Sequence, residues 1–337
     1  MKTRKLFYNS KILAVLCFCV LTGCSGGNPE EKPIKDEASF EETAESLTEN
    51  LSENPPENLS ENPSENPSAD SGKQPALEPA IIEEDWSAYF NGINGAAVLY
   101  DPADGVYRIY NQELAQTRRS PCSTFKIISS LIALENGILD PAASVREWSG
   151  ETFWNEQWNQ NMDFEHAFRE SCVWYFREVI DEIGQERMAE GLRGLSYGNC
   201  DISDWEGRLN TNNNNRALTG FWIESSLAIS PKEQTEVMER IFGENSLYTE
   251  KSREQLKQVM YRQEESGTEL SIYGKTGMGK AEGVLVDAWY TGFAENDSRA
   301  VYFCVYLGRT EDETVSSATA REIAVRLISD FYAGEMK

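Results

Sequence analysis

Pro121-Cys122-Ser123-Thr124-Phe125-Lys126 is the stretch on which the reading of this chain turns. Ser123 follows a proline and precedes an apolar-periodic run of Phe125, Ile127, Ile128, Leu131, Ile132 and Leu134, which predicts a helix over 123–136 with Ser123 at its N-terminus. Residues three apart on a helix share a face, so Lys126 should stand beside the Ser123 hydroxyl. The first-turn N–H groups and the helix dipole favour negative charge developing there. Such a layout suits an activated serine nucleophile. On its own S-x-x-K also fits an ordinary amphipathic helix.

The rest of the composition narrows the chemistry. The chain has one histidine, His166, set in an amphipathic segment with Phe164, Ala167 and Phe168. Nothing around it supports a Ser-His-Asp triad. Zinc sites built on two or three histidines are excluded, and no cysteines are spaced C-x-x-C, so no metal is expected. The base in a hydrolase of this sequence should be a lysine or a carboxylate.

Further motifs follow in order: Ser171-Cys172-Val173, Tyr197-Gly198-Asn199, and Lys275-Thr276-Gly277, the last at the end of an alternating run read as a strand over 268–275. Together with S-T-F-K they resemble the serine penicillin-recognising enzymes, for which S-x-x-K, S-D-N and K-T-G are the marks. S-D-N is absent here; Ser171-x-Val173 with Tyr197-Gly198-Asn199 replaces it. That combination resembles the class D, oxacillinase-type β-lactamases from about Trp86 to the C-terminus. Ala97-Val98-Leu99-Tyr100-Asp101, Phe221-Trp222-Ile223-Glu224, Asp287-Ala288-Trp289-Tyr290-Thr291-Gly292-Phe293 and Ala320-Arg321-Glu322-Ile323-Ala324 extend the likeness.

The resemblance implies an α+β fold of the serine β-lactamase and transpeptidase kind: an antiparallel sheet flanked by helices, plus an α-helical lobe, with the site between. Strands are expected at 95–101, 105–110, 268–275, 284–294 and 299–307, and helices at 123–136, 164–183, 185–194, 231–242, 249–262 and 316–333. It further implies that Ser123 attacks the β-lactam carbonyl, with the N–H groups of Ser123 and Met278 holding the oxyanion. A protonated lysine cannot accept the serine proton. Class D enzymes solve this with a CO2-derived carbamate on the lysine, here Lys126, walled by Val173 and Ile223 and receiving the Trp222 indole N–H. Ser171 would relay a proton to the leaving nitrogen while Lys275 holds the field. Thr276, Gly277 and Arg321 would bind the substrate, and Tyr197 and Asn199 would shape the site. The partners implied are β-lactam antibiotics. A β-lactam sensor that acylates without turnover shares most of these motifs, although such receptors carry a metalloprotease segment and this chain has no H-E-x-x-H.

The flanking sequence suggests where the domain works. Residues 1–24 open with Lys2, Arg4 and Lys5, pass through a short apolar run and end Leu21-Thr22-Gly23-Cys24, which reads as a lipoprotein signal. Its apolar core falls short of the roughly 20 residues a spanning helix needs. Cys24 should be lipidated, tethering an extracytoplasmic protein to the cell membrane. Residues 25–85 carry 17 acidic and 3 basic residues and repeat a Ser-Glu-Asn-Pro-like unit. Such a segment cannot bury enough apolar surface to order itself, and reads as a self-repelling, extended spacer; a partner-binding tail is the alternative. The catalytic domain, 86–337, retains a net charge of −15 and should not bind nucleic acid. Its four cysteines, Cys122, Cys172, Cys200 and Cys304, are expected as buried thiols rather than as a Cys122–Cys172 bridge.

Overall fold

The computed structural model describes residues 79–208, 215–267, 269–281, 283–311 and 314–334. The signal and lipidation site at Cys24, and the spacer as far as residue 78, lie outside the described residues.

Among the described residues six strands form one sheet in the order β1-β3-β2-β6-β5-β4. They are β1 (Ala80–Glu83), β2 (Gly95–Asp101), β3 (Val106–Tyr110), β4 (Ser271–Ala281), β5 (Val284–Glu295) and β6 (Ala300–Gly308). β3 alternates half-buried and buried side chains, as expected of a strand with one packed face, whereas central β6 is buried on both. The expected antiparallel sheet needs a correction. Five strands are antiparallel, but β1, in the stretch read as spacer, pairs parallel with β3 and makes the sheet mixed.

Among the described residues eight α-helices accompany the sheet: short α1 (Ser87–Phe90) and α2 (Gln112–Ala115), then α3 (Lys126–Glu135), α4 (Phe164–Arg169), α5 (Val173–Leu195), α6 (Pro231–Phe242), α7 (Glu250–Met260) and α8 (Ser317–Ala333). Ser230 and Glu233 form a reciprocal capping box with Pro231 at the first turn, which fixes where α6 begins. One core packs β5 and β6 against α8 through Tyr290, Phe303, Leu327 and Ile328. A second fills the helical lobe around Phe125, Leu131, Phe168, Phe176 and Trp222. The site lies along the boundary between them.

Two differences from the sequence reading matter for that site. The helix expected over 164–183 is broken: α4 stops at Arg169, Ser171 takes a left-handed φ of 56°, and α5 starts at Val173. Apolar periodicity runs through the break and hides it. The helix does bend at Gly184 (φ 76°), where a boundary was expected. The strand expected to end at 275 continues as β4 to Ala281, which puts Lys275-Thr276-Gly277 in the middle of an edge strand.

Candidate active site

The nucleophile turn is held from several directions. Cys122 adopts a left-handed φ of 49°, and its N–H donates to the Trp222 carbonyl at 2.9 Å. Ser123 follows in a 3-10 turn, Cys122–Phe125, that leads into α3. Phe125 anchors this turn, edge-on to Tyr197 and Phe221 and stacked on Trp222 at 6.1 Å between ring centroids. The half-buried Ser123 hydroxyl accepts from Lys126 Nζ at 2.9 Å. Lys126 is 1% exposed, and burial pulls its pKa down to about 8. A lysine so placed loses its proton far more readily than an exposed one.

A second serine–lysine pair faces the first. Left-handed Ser171 turns its hydroxyl toward β4, where it accepts from Lys275 Nζ at 2.9 Å; the same ammonium donates to the Thr276 carbonyl at 3.1 Å. Burial, and then the charge of Lys126, hold the Lys275 pKa well below its ordinary value. Two buried amines close enough to repel each other thus share one small volume, and an incoming anion would relieve that repulsion.

β4 closes the wall opposite Ser123. A Cβ at Gly277 would stand 3.0 Å from the Pro121 carbonyl oxygen and from Thr124 Cγ2, so a glycine lets the strand lie against the nucleophile turn. Between them opens a cavity of about 380 Å³ lined by Ser123, Ser171, Val173, Ile223, Thr276, Gly277 and Met278. Seven of the residues singled out from sequence meet there, with Lys126 and Lys275 reaching its serines from behind.

Other candidates fall behind or outside the wall. Trp222 is fully buried, stacked on Phe125 and edge-on to Phe221. Tyr197 is buried against Phe125. Asn199 accepts from the Asp201 and Ala228 N–H groups and donates to the Ser226 carbonyl, tying its turn to the segment after Trp222. Neither residue lines the cavity. Arg321 departs from expectation: its Nε pairs with Glu265 Oε1 at 3.5 Å, and the cavity lining reaches only Ser317, one turn earlier on α8. The buried Glu265 carboxylate, also an acceptor for the Tyr290 hydroxyl, draws the guanidinium aside. All four cysteines in the described region are free thiols.

Several lining residues carried no signal strong enough to be singled out. Trp154, Glu170, Lys280 and Ser317 also line the cavity, beside Glu224 of the Phe221–Glu224 stretch. Lys280 follows the K-T-G motif and could have been reached from it; Trp154 sits in a polar loop with no periodicity.

A serine hydroxyl held by a buried lysine, faced by a second serine–lysine pair on an edge strand, defines an active-serine, penicillin-recognising protein. The chain belongs to that family: residues 95–329 match the penicillin-binding protein transpeptidase domain. It is 30% identical to the probable β-lactamase YbxI of Bacillus subtilis over 72% of this chain and 82% of that one. It is 29% identical to the regulatory protein BlaR1 of Bacillus licheniformis over 73% of this chain, which spans 38% of BlaR1. A solved class D β-lactamase from Bacillus subtilis superposes with a TM-score of 0.63 at 28% identity, covering 73% of this chain and 94% of that one.

Proposed function

We propose that this protein hydrolyses the β-lactam amide of penicillin-type antibiotics through an acyl-enzyme on Ser123, and so confers resistance. The 2.9 Å contact between Ser123 Oγ and a buried Lys126 whose pKa burial depresses carries the reading. Ser123 Oγ attacks the lactam carbonyl as its proton passes toward Lys126. The oxyanion is held by the Ser123 and Met278 N–H groups. As the C–N bond breaks, Ser171 delivers a proton to the leaving nitrogen and Lys275 restores it, itself reprotonated at the expense of the proton Lys126 took from Ser123. Water then attacks the Ser123 ester as Lys126 takes a proton from it and returns that proton to Ser123 Oγ when the ester C–O bond breaks, freeing the serine and a carboxylic acid. Thr276 and Ser317, which both line the cavity, would receive the carboxylate on the fused ring.

The surroundings of Lys126 fit a carbamate. The amine is buried and its pKa depressed, and Val173 and Ile223 offer apolar walls. When bound, that group supplies a carboxylate base for both acylation and deacylation. Val173 and Ile223 exclude water that would protonate the amine, and Trp222 orients the lysine end.

Lipidation at Cys24 would hold the protein at the outer face of the cell membrane; loss of membrane-fraction protein in Cys24→Ala would support it, and unchanged fractionation would oppose it. The likeness to BlaR1 favours one other reading, a receptor that is acylated and does not turn over. Product formation from benzylpenicillin separates the two. Wild type should form many equivalents and Ser123→Ala none; one equivalent from wild type would indicate the receptor.

A further inference from the structure

The outer end of the cavity holds a cation and an aromatic ring that the reaction above does not use. Lys280 and Trp154 both line it, from opposite sides: β4 and the loop before Trp158. Lys280 Nζ stands 5.9 Å from the centroid of the Trp154 ring, which is 74% exposed. The ammonium has no carboxylate partner within ion-pair distance among the described residues. Glu224 Oε1 on the same wall accepts from the Lys280 backbone N–H, and its carboxylate lies within electrostatic reach of the ammonium without forming an ion pair with it. The register of β4 against β5 shifts between Gly279 and Lys280, and an irregularity of this kind re-aims the side chain beside it.

Position along the strand says which part of a ligand would arrive there. Thr276 and Lys280 are four residues apart, roughly 13 Å on an extended strand, with Met278 between them. A β-lactam whose carbonyl oxygen lies at Met278 and whose ring carboxylate lies at Thr276 must send its acyl side chain toward Lys280 and Trp154.

We propose that Lys280 and Trp154 form a side-chain subsite selecting penicillins whose acyl group carries both an aryl ring and a carboxylate. The ring stacks on Trp154 and the carboxylate pairs with the Lys280 ammonium, which moves from the indole face to the stronger partner. This inference rests on the acylation of Ser123 proposed above.

Benzylpenicillin and α-carboxybenzylpenicillin differ by that one carboxylate, so they test it. The second-order rate of Ser123 acylation is measured by mass spectrometry for both, in wild type and in Lys280→Met, which keeps an unbranched side chain against Trp154. Lys280→Met should lower the carboxybenzyl-to-benzyl rate ratio about tenfold, the scale of one charge-assisted hydrogen bond at a partly open site. High salt should lower the wild-type ratio and leave that of the variant alone. Acylation by both penicillins at an unchanged ratio would overturn the subsite while leaving the acylation reading intact. Acylation by neither would overturn both.

Discussion

Lys275 Nζ donates to Ser171 Oγ across 2.9 Å, joining an edge strand of the sheet to the break between two helices of the lobe. Ser171 lines the cavity, so the sheet and the lobe meet at its wall through a serine–lysine pair. Ser171→Ala should leave the fold in place and slow acylation by about 10²–10⁴-fold, the usual scale for one general acid. Stopped-flow acylation by benzylpenicillin measures it. A rate within threefold of wild type would remove Ser171 from the proton path.

Lys126 should destabilise the fold it serves. Its pKa falls from 10.5 to about 8 on burial, so between those values the unfolded chain binds more protons and stability rises with pH. The penalty is therefore complete below pH 8 and fades toward 10.5. In carbon-dioxide-depleted buffer at pH 7, Lys126→Met should melt several degrees higher than wild type while losing activity. The gap should narrow as the pH approaches 10. A variant that melts lower at pH 7 would show that the amine is better solvated than its burial implies.

Activity should depend on dissolved bicarbonate, because a carbamate forms only on the neutral amine. Protonation rises as pH falls below about 8, so activity lost toward pH 6 should return in part when bicarbonate is added at fixed pH. Trp222→Ala should deepen the requirement. Carbon-13 NMR after labelling with bicarbonate should show a resonance absent from Lys126→Ala. Full activity without carbon dioxide would make Lys126 a free-amine base.

Gly198 holds the turn between Tyr197 and Asn199 by having no side chain. Its φ is 53°, and a Cβ would stand 2.1 Å from the Ala228 carbonyl oxygen. Gly198→Ala should cost about 2–4 kcal/mol through strain and displaced backbone. Urea unfolding gives the value; an unchanged midpoint would mean that the Trp222 segment shifts freely.

Where chain-local rules decide, the sequence was readable. The alternation of β3, the Ser230 cap and the Ser123–Lys126 spacing are each set within a few residues. The helix break at Ser171 was invisible because Phe168, Cys172 and Phe176 keep helical periodicity across it, and a left-handed serine has no compositional mark. Arg321 was matched by motif, but a distant carboxylate, Glu265, sets where its guanidinium goes. Trp154 and Lys280 meet across 126 positions of sequence, and only the fold brings them together. Parallel pairing of β1 was missed for a similar reason: four exposed residues at an edge carry no burial pattern.

The lifetime of the Ser123 adduct tests the account most directly. Wild-type protein in bicarbonate buffer is mixed with excess benzylpenicillin and followed by time-resolved intact-mass spectrometry, with the modified peptide identified. A penicilloyl group on Ser123 should appear, persist while substrate lasts, then vanish as free enzyme and many equivalents of hydrolysed product accumulate. An adduct that remains for hours after one equivalent, or one that forms on another residue, would contradict hydrolysis by the Ser123–Lys126 pair.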